Sequence, residues 1–119
     1  MTTYLEVEDL LGLAADLGIT GIGDPGLLAA AAYRPRVRLF GREVYQGIDA
    51  KAAALADSLV TLPGAADTGR LAWLAVVVFY GLNEIQLDPP AGQPERLLSE
   101  ILGGNCNLAA ISGALASWH

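Results

Sequence analysis

Residues 62–82 read Leu62-Pro63-Gly64-Ala65-Ala66-Asp67-Thr68-Gly69-Arg70-Leu71-Ala72-Trp73-Leu74-Ala75-Val76-Val77-Val78-Phe79-Tyr80-Gly81-Leu82, a break of small residues followed by a run that is apolar nearly all round. A run without a polar face predicts a helix enclosed by other helices, not a surface one. Its apolar part, Leu71 to Leu82, is 12 residues long, short of the roughly 20 needed to span a bilayer. Trp73, Phe79 and Tyr80 are therefore expected in a core. Thr68 or Asp67 should act as the N-cap of this helix. Its free amides and dipole would also suit an anion.

The segments on either side are helical too. Before the break, Ile48, Ala52, Leu55 and Leu59 recur at helical spacing and predict a helix over 48–60. Its opposite side, Ala50, Ala54, Asp57 and Thr61, is small or polar and is expected to face water. Further back, Val37 to Tyr45 alternates loosely around Gly41 and suggests a short flap or hairpin. Asp24 as N-cap with Pro25 at the first helical position predicts a helix over 25–33, and Pro35 ends it. Glu8 to Leu17 carries the first helix, with Gly18 as its stop. After the long apolar run, Asp88-Pro89-Pro90-Ala91-Gly92 is a loop. Pro94 to Leu102 and a helix capped by Asn107 and running to about Trp118 complete the chain. The expected class is all-α: a compact six-helix arrangement around a central apolar helix, one domain over 1–119.

Composition supports this reading and excludes others. The apolar share of 53 % leaves ample surface for a core, so disorder is not expected. A net charge of −6 repels phosphate backbones and argues against direct nucleic-acid binding. The lone Cys106 forms no internal disulfide and belongs to no cysteine-rich metal site. It sits between Asn105 and Asn107 with nothing to activate it. With no secretory leader in view, a cytoplasmic protein is expected. One basic cluster stands out, Arg34, Arg36, Arg38 and Arg42. It reads either as a solvated face or as a contact for an acidic partner or for phosphates.

Four stretches together, in order and over nearly the whole chain, resemble the Doc (death-on-curing) branch of the Fic family. They are Tyr4-Leu5-Glu6-Val7-Glu8-Asp9-Leu10-Leu11; Asp24-Pro25-Gly26-Leu27-Leu28 with Ala32, Arg34 and Pro35; Tyr45 with Lys51-Ala52-Ala53-Ala54-Leu55 and Ser58-Leu59; and Arg70-Leu71-Ala72-Trp73-Leu74-Ala75 with Leu82-Asn83 and Leu87-Asp88. Each alone is unspecific; the matching separations carry the resemblance. The fold it implies, helices around a central helix, agrees with the periodicity.

The resemblance also implies a chemistry. Family members build a nucleotide site from flap, loop and helix, with a loop pattern of about H-x-F-x-D/E-G/A-N-K/G-R. The histidine is the general base toward a target hydroxyl, the acidic residue holds Mg²⁺, and the following backbone and arginine hold phosphates. Fic relatives usually transfer AMP from ATP. The Doc branch transfers phosphate to a translation factor, and an antitoxin partner blocks it through a segment that folds on binding.

This sequence departs from that pattern at its chemical centre. Counted back from Arg70, the histidine position falls on Leu62, or on Pro63 if the loop has lost a residue, and neither accepts a proton. The asparagine is absent. Asp67 matches the metal carboxylate only if a deletion follows it, while Thr68, Gly69 and Arg70 would be the phosphate-binding residues. His119 is the sole histidine and stands last in the sequence. The resemblance therefore implies a pseudoenzyme or binding module of toxin–antitoxin type, with Arg38, Phe40 and Arg42 on a partner-binding flap. Its partner would be an antitoxin-like protein or another protein, and ATP and Mg²⁺ would enter only if the family site survives. The rival reading is an active transferase with a rearranged loop. Alternatively, Thr68 or Asp67 only caps a helix, Arg70 pairs with Glu43 or Asp57, and Trp118 is a packing anchor. An exposed edge along Val37, Leu39, Phe40 and Val44 would suit strand addition.

Overall fold

In the computed structural model, which describes residues 1–64 and 66–119, six helices form in the expected order. Ala65, part of the break between the third and fourth helices, lies outside the described residues. Helix α1 spans Val7–Asp16, α2 Pro25–Tyr33, α3 Ile48–Val60, α4 Thr68–Leu82, α5 Gln93–Leu102 and α6 Leu108–Ala116. A 3-10 turn, Arg34–Arg36, follows α2 and leads into a hairpin of β1, Arg38–Leu39, and β2, Arg42–Glu43. The helix ends agree with the spacing to within about two residues, the usual fraying of such boundaries.

Local chemistry accounts for several of these ends. The Asp24 carboxylate accepts from the Gly26 amide at 2.9 Å, with Pro25 opening α2. Asn107 accepts from the Ala110 amide at 2.8 Å and starts α6. Glu6 and Asp9 form a reciprocal capping box at the start of α1.

The core is a continuous cluster built from α1 to α6, with Leu10, Leu28, Leu59, Leu71, Phe79 and Ile111 all nearly or fully buried. A leucine so placed contributes about 1.5–3 kcal/mol. Helix α3 is the most enclosed element, since Lys51 and the five residues after it, Ala52 to Ala56, are all buried. Alanines on every side let α4, α6 and the 3-10 turn approach its backbone closely. The water-facing side expected for α3 is not found. Ala54 is 0 % exposed and Asp57 half-buried, because Arg34 from the 3-10 turn roofs that side; Thr61 alone of the four is exposed. A small, polar helix face can meet a guanidinium instead of solvent, and periodicity does not distinguish the two.

Helix α4 packs along α3 and contributes Leu71, Ala72, Ala75, Val76, Phe79 and Tyr80 to the core. It is enclosed on all but one side, where Val77 and Leu82 reach solvent. Trp73 is half-buried and meets the buried Trp118 edge-on at 6.0 Å between centroids, which makes Trp118 the packing anchor expected of it. Among the described residues no helix is long and apolar enough to cross a membrane.

Candidate functional site

Helix α3 ends at Val60 and α4 begins at Thr68, so the loop between them stands where the family pattern places its chemistry. Leu62 is half-buried against the core and Pro63 is exposed. Together with Leu27, Ala30, Ala31, Arg34, Ser58 and Thr61 they line an open, mostly apolar cavity of about 390 Å³.

The start of α4 differs from the capping arrangement expected. Asp67 occupies the N-cap position, but its backbone is left-handed, with φ 60° and ψ 27°, and its side chain makes no cap bond. Capping side chains accept amides from an extended backbone, and the left-handed turn takes Asp67 out of that geometry. Thr68 is the first helical residue, and its buried hydroxyl donates to the Val60 carbonyl at 2.9 Å. It thus stitches the end of α3 to the start of α4.

Thr68, Gly69 and Arg70 share one helical turn, and among their side chains only that of Arg70 reaches far into solvent. Arg70 lies 3.8 Å from Asp67 Oδ2, with 58 % of its side chain exposed. A pair this open contributes little. The partners expected for it are already engaged: Glu43 by Lys51, Asp57 by Arg34. Asp67 brings one exposed carboxylate, and among the described residues no group of three His, Cys, Asp or Glu side chains is placed to hold a metal. Mg²⁺ at such a position would need phosphate oxygens and water for most of its shell.

His119 lies away from the loop. Its Nε2 is 2.7 Å from Asp49 Oδ1, and the Tyr80 hydroxyl donates to the same oxygen at 2.6 Å. Asp49 is in the first turn of α3, whose 13 residues put its two ends roughly 18 Å apart at ~1.5 Å per residue. Burial and the Asp49 charge hold the Tyr80 phenol well above its usual range. Burial also raises the Cys106 thiol, with Glu100 and Asp57 adding to the effect, so this cysteine is not activated.

The basic cluster divides into two halves with different roles. Arg34 is a hub: Nε donates to the Tyr45 hydroxyl at 2.9 Å, and Nη1 to Asp57 Oδ2 and Ser58 Oγ, each at 2.9 Å. Burial lowers the Arg34 pKa, but the bonds to Asp57 and Tyr45 outweigh it, so the net shift is upward. Arg36 donates to the Leu5 carbonyl and to Glu6, and stacks 4.7 Å over the Tyr4 ring. Its Nε is buried with no partner among the described residues. Neither arginine belongs to a solvated face. Arg38 and Arg42, in contrast, are exposed on the hairpin strands.

The hairpin is a small flap. Arg38 pairs with Glu43 and Leu39 with Arg42 across a two-residue turn, Phe40-Gly41, in which both φ values are positive, 53° and 78°. Such turns fit the twist of a hairpin, but they favour Asn-Gly. A phenylalanine at positive φ is strained, and here its side chain is fully exposed, with Leu39 and Val44 partly exposed beside it. Lys51 secures the root of the flap: Nζ donates to the Tyr45 carbonyl at 2.7 Å and pairs with the Glu43 carboxylate. Lys51 holds Glu43 below the usual carboxylate range, by hydrogen bond first and charge second. Sequence reasoning assigned Lys51 no role; the available signal was a single lysine set in a run of alanines.

A second surface lies between α1 and the end of α4. Leu5, Leu13, Val78 and Leu82 floor a groove of about 510 Å³, and Glu8, Asp9 and Asp16 are its acidic residues.

No family model matches this sequence. A curated relative does: the Toxin Doc of Mycolicibacterium smegmatis (strain ATCC 700084 / mc(2)155) is 37 % identical over 123 residues, covering 99 % of this chain and 95 % of that protein.

Proposed function

The chain belongs to the Doc toxin family, and from that premise we propose that it works as a binding module of a toxin–antitoxin system, with little or no transfer chemistry of its own. One observation carries the proposal. Where the family pattern has its base, this chain has Leu62, packed on the core, or Pro63, neither with a group that takes a proton. The only histidine is bonded to Asp49 at the far end of α3. Losing a general base costs about 10² to 10⁴ in rate.

The binding surfaces do not depend on that base. Arg38, Phe40 and Arg42 on the flap offer cations beside an exposed aromatic ring, suited to an acidic and apolar segment of a partner protein. The antitoxin-like partner would place an amphipathic helix in the α1–α4 groove, its apolar side on Leu13, Val78 and Leu82 and basic residues toward Glu8, Asp9 and Asp16.

The rival reading, a transferase moving phosphate or AMP from ATP to a protein hydroxyl such as that of a translation factor, has one observation in its favour. Arg70 extends into solvent at a helix start, and among the described residues it is held only by a loose pair with Asp67. Under that reading Thr68, Gly69 and Arg70 would meet the phosphates.

Calorimetric titration with ATP, with and without Mg²⁺, separates the two. The binding-module reading expects no heat of binding at millimolar ATP. Magnesium-dependent binding that disappears in Arg70→Ala would overturn it and support the transferase.

A further inference from the structure

We propose that Lys51 is a gated acylation site, whose amine becomes reactive only when the hairpin lifts and whose acylation keeps the hairpin from closing again. Lys51 is the only lysine in a chain with six arginines. It is 2 % exposed, and the hairpin covers it: Glu43 from β2 pairs with its Nζ, and the carbonyl of Tyr45 accepts from it.

The cover is built to move. Each strand contributes two residues to the pairing, and all four are exposed. A two-stranded hairpin of this size is marginal by itself, and this one carries a strained Phe40 at its turn. Within the hairpin the Val44 amide meets the Val37 carbonyl at 3.1 Å and Arg38 the Gly41 carbonyl. Among the described residues its polar ties to the body are the Val37 amide to the Arg34 carbonyl, Arg34 to the Tyr45 hydroxyl and ring, and Lys51 to Glu43 and the Tyr45 carbonyl. A segment with few buried contacts opens locally at small cost, without global unfolding. Helix α3, from which Lys51 projects, is the most enclosed part of the molecule, so opening moves the cover and leaves the lysine's backbone in place.

The co-reactant is an acyl phosphate. With the hairpin lifted, the ammonium gives a proton to water. The Nζ lone pair then attacks the acyl carbon, an N–C bond forms, and the C–O bond to phosphate breaks, phosphate leaving with the electron pair. The second amine proton passes to solvent, and a neutral amide remains. That amide has lost the charge that attracts Glu43, and its acyl group occupies the space under Tyr45. Any consequence for partner docking rests on the flap reading given above; the gating itself does not.

The test uses the full chain and acetyl phosphate, with acylation at residue 51 followed by peptide-level mass spectrometry. Nα-acetyl-lysine amide serves as the exposed reference and Lys51→Arg as the blank. The expected rate at Lys51 is at least about tenfold below the reference, equivalent to ~1.4 kcal/mol of opening. Phe40→Asn, which makes the turn Asn-Gly and touches nothing near the amine, should slow it by a further severalfold. Glu43→Gln should accelerate it. Acylated protein should lose hydrogen-exchange protection over residues 38–45 and keep it in α3 and α4. Reaction at the reference rate, no slowing in Phe40→Asn, or a hairpin still protected after acylation would each overturn the proposal. No arm includes a partner, so failure here leaves the docking reading standing, and failure to dock leaves the gate standing.

Discussion

The two ends of α3 contrast in how they use charge. At its start, Lys51 holds Glu43 and the Tyr45 carbonyl, and Asp49 receives both the Tyr80 hydroxyl and the His119 ring. Past its end, Asp67 and Arg70 face solvent 3.8 Å apart, and Asp67 makes no cap bond. The second end also carries specific bonds, Arg34 to Asp57 and Ser58 and Thr68 to the Val60 carbonyl, but its loop pair stands open to water. An exposed ion pair is weak because water screens it, whereas a buried cation must be fully satisfied to be tolerated at all. The Lys51 pair at the flap root is therefore expected to contribute more to stability than the exposed Asp67–Arg70 pair.

Arg34 bridges the two regions, from Tyr45 beside the flap to Asp57 and Ser58 near the loop, and its loss should have the largest effect. Arg34→Ala removes several hydrogen bonds to a charged group, each worth about 1.5–3 kcal/mol before relaxation, so chemical denaturation should show a loss of about 3 kcal/mol. A loss under ~1 kcal/mol would show that the two ends are independent. Next in size is Thr68→Val, which keeps the shape but leaves the Val60 carbonyl without its hydroxyl donor. A cost of about 1–2 kcal/mol is expected, and Thr68→Ser should recover most of it.

Acid should then act on the first region only. Glu43 has a depressed pKa in the folded state because of Lys51. Its contribution is present above the ordinary glutamate pKa and is lost as pH falls through the lower, folded value. Protection over the hairpin, taken relative to the intrinsic exchange rate at each pH, should fall in that acid window while α4 remains protected; equal loss in both would erase the contrast. The smallest effect belongs to Arg70→Ala, expected within about 0.5 kcal/mol of the parent by thermal unfolding. A larger loss would show that the loop pair is structural after all.

The fold was largely legible because it is local. Asp24-Pro25, Asn107 and the spacing of Ile48, Ala52, Leu55 and Leu59 specify helices through contacts three and four residues apart. The hairpin was visible through Gly41 and weak alternation, although Phe40 at its turn breaks the usual turn chemistry. The candidate site was legible only as a set of residue types. The places of Leu62 and Pro63 in the loop before Arg70 follow from counting alone, but the left-handed backbone at Asp67 and the bond from Thr68 to Val60 do not, since both arise from how α4 returns along α3.

By itself, then, the sequence determined the class, the order and approximate extent of the helices, and the family. Only the tertiary structure decided which distant polar side chains meet. Arg34 and Asp57 are 23 residues apart in the chain, and His119 and Asp49 are 70 apart. Glu43 has Arg42 as its chain neighbour and pairs instead with Lys51. Such pairings depend on where the chain crosses itself and how far each crossing excludes water, and no local period of the sequence carries that information.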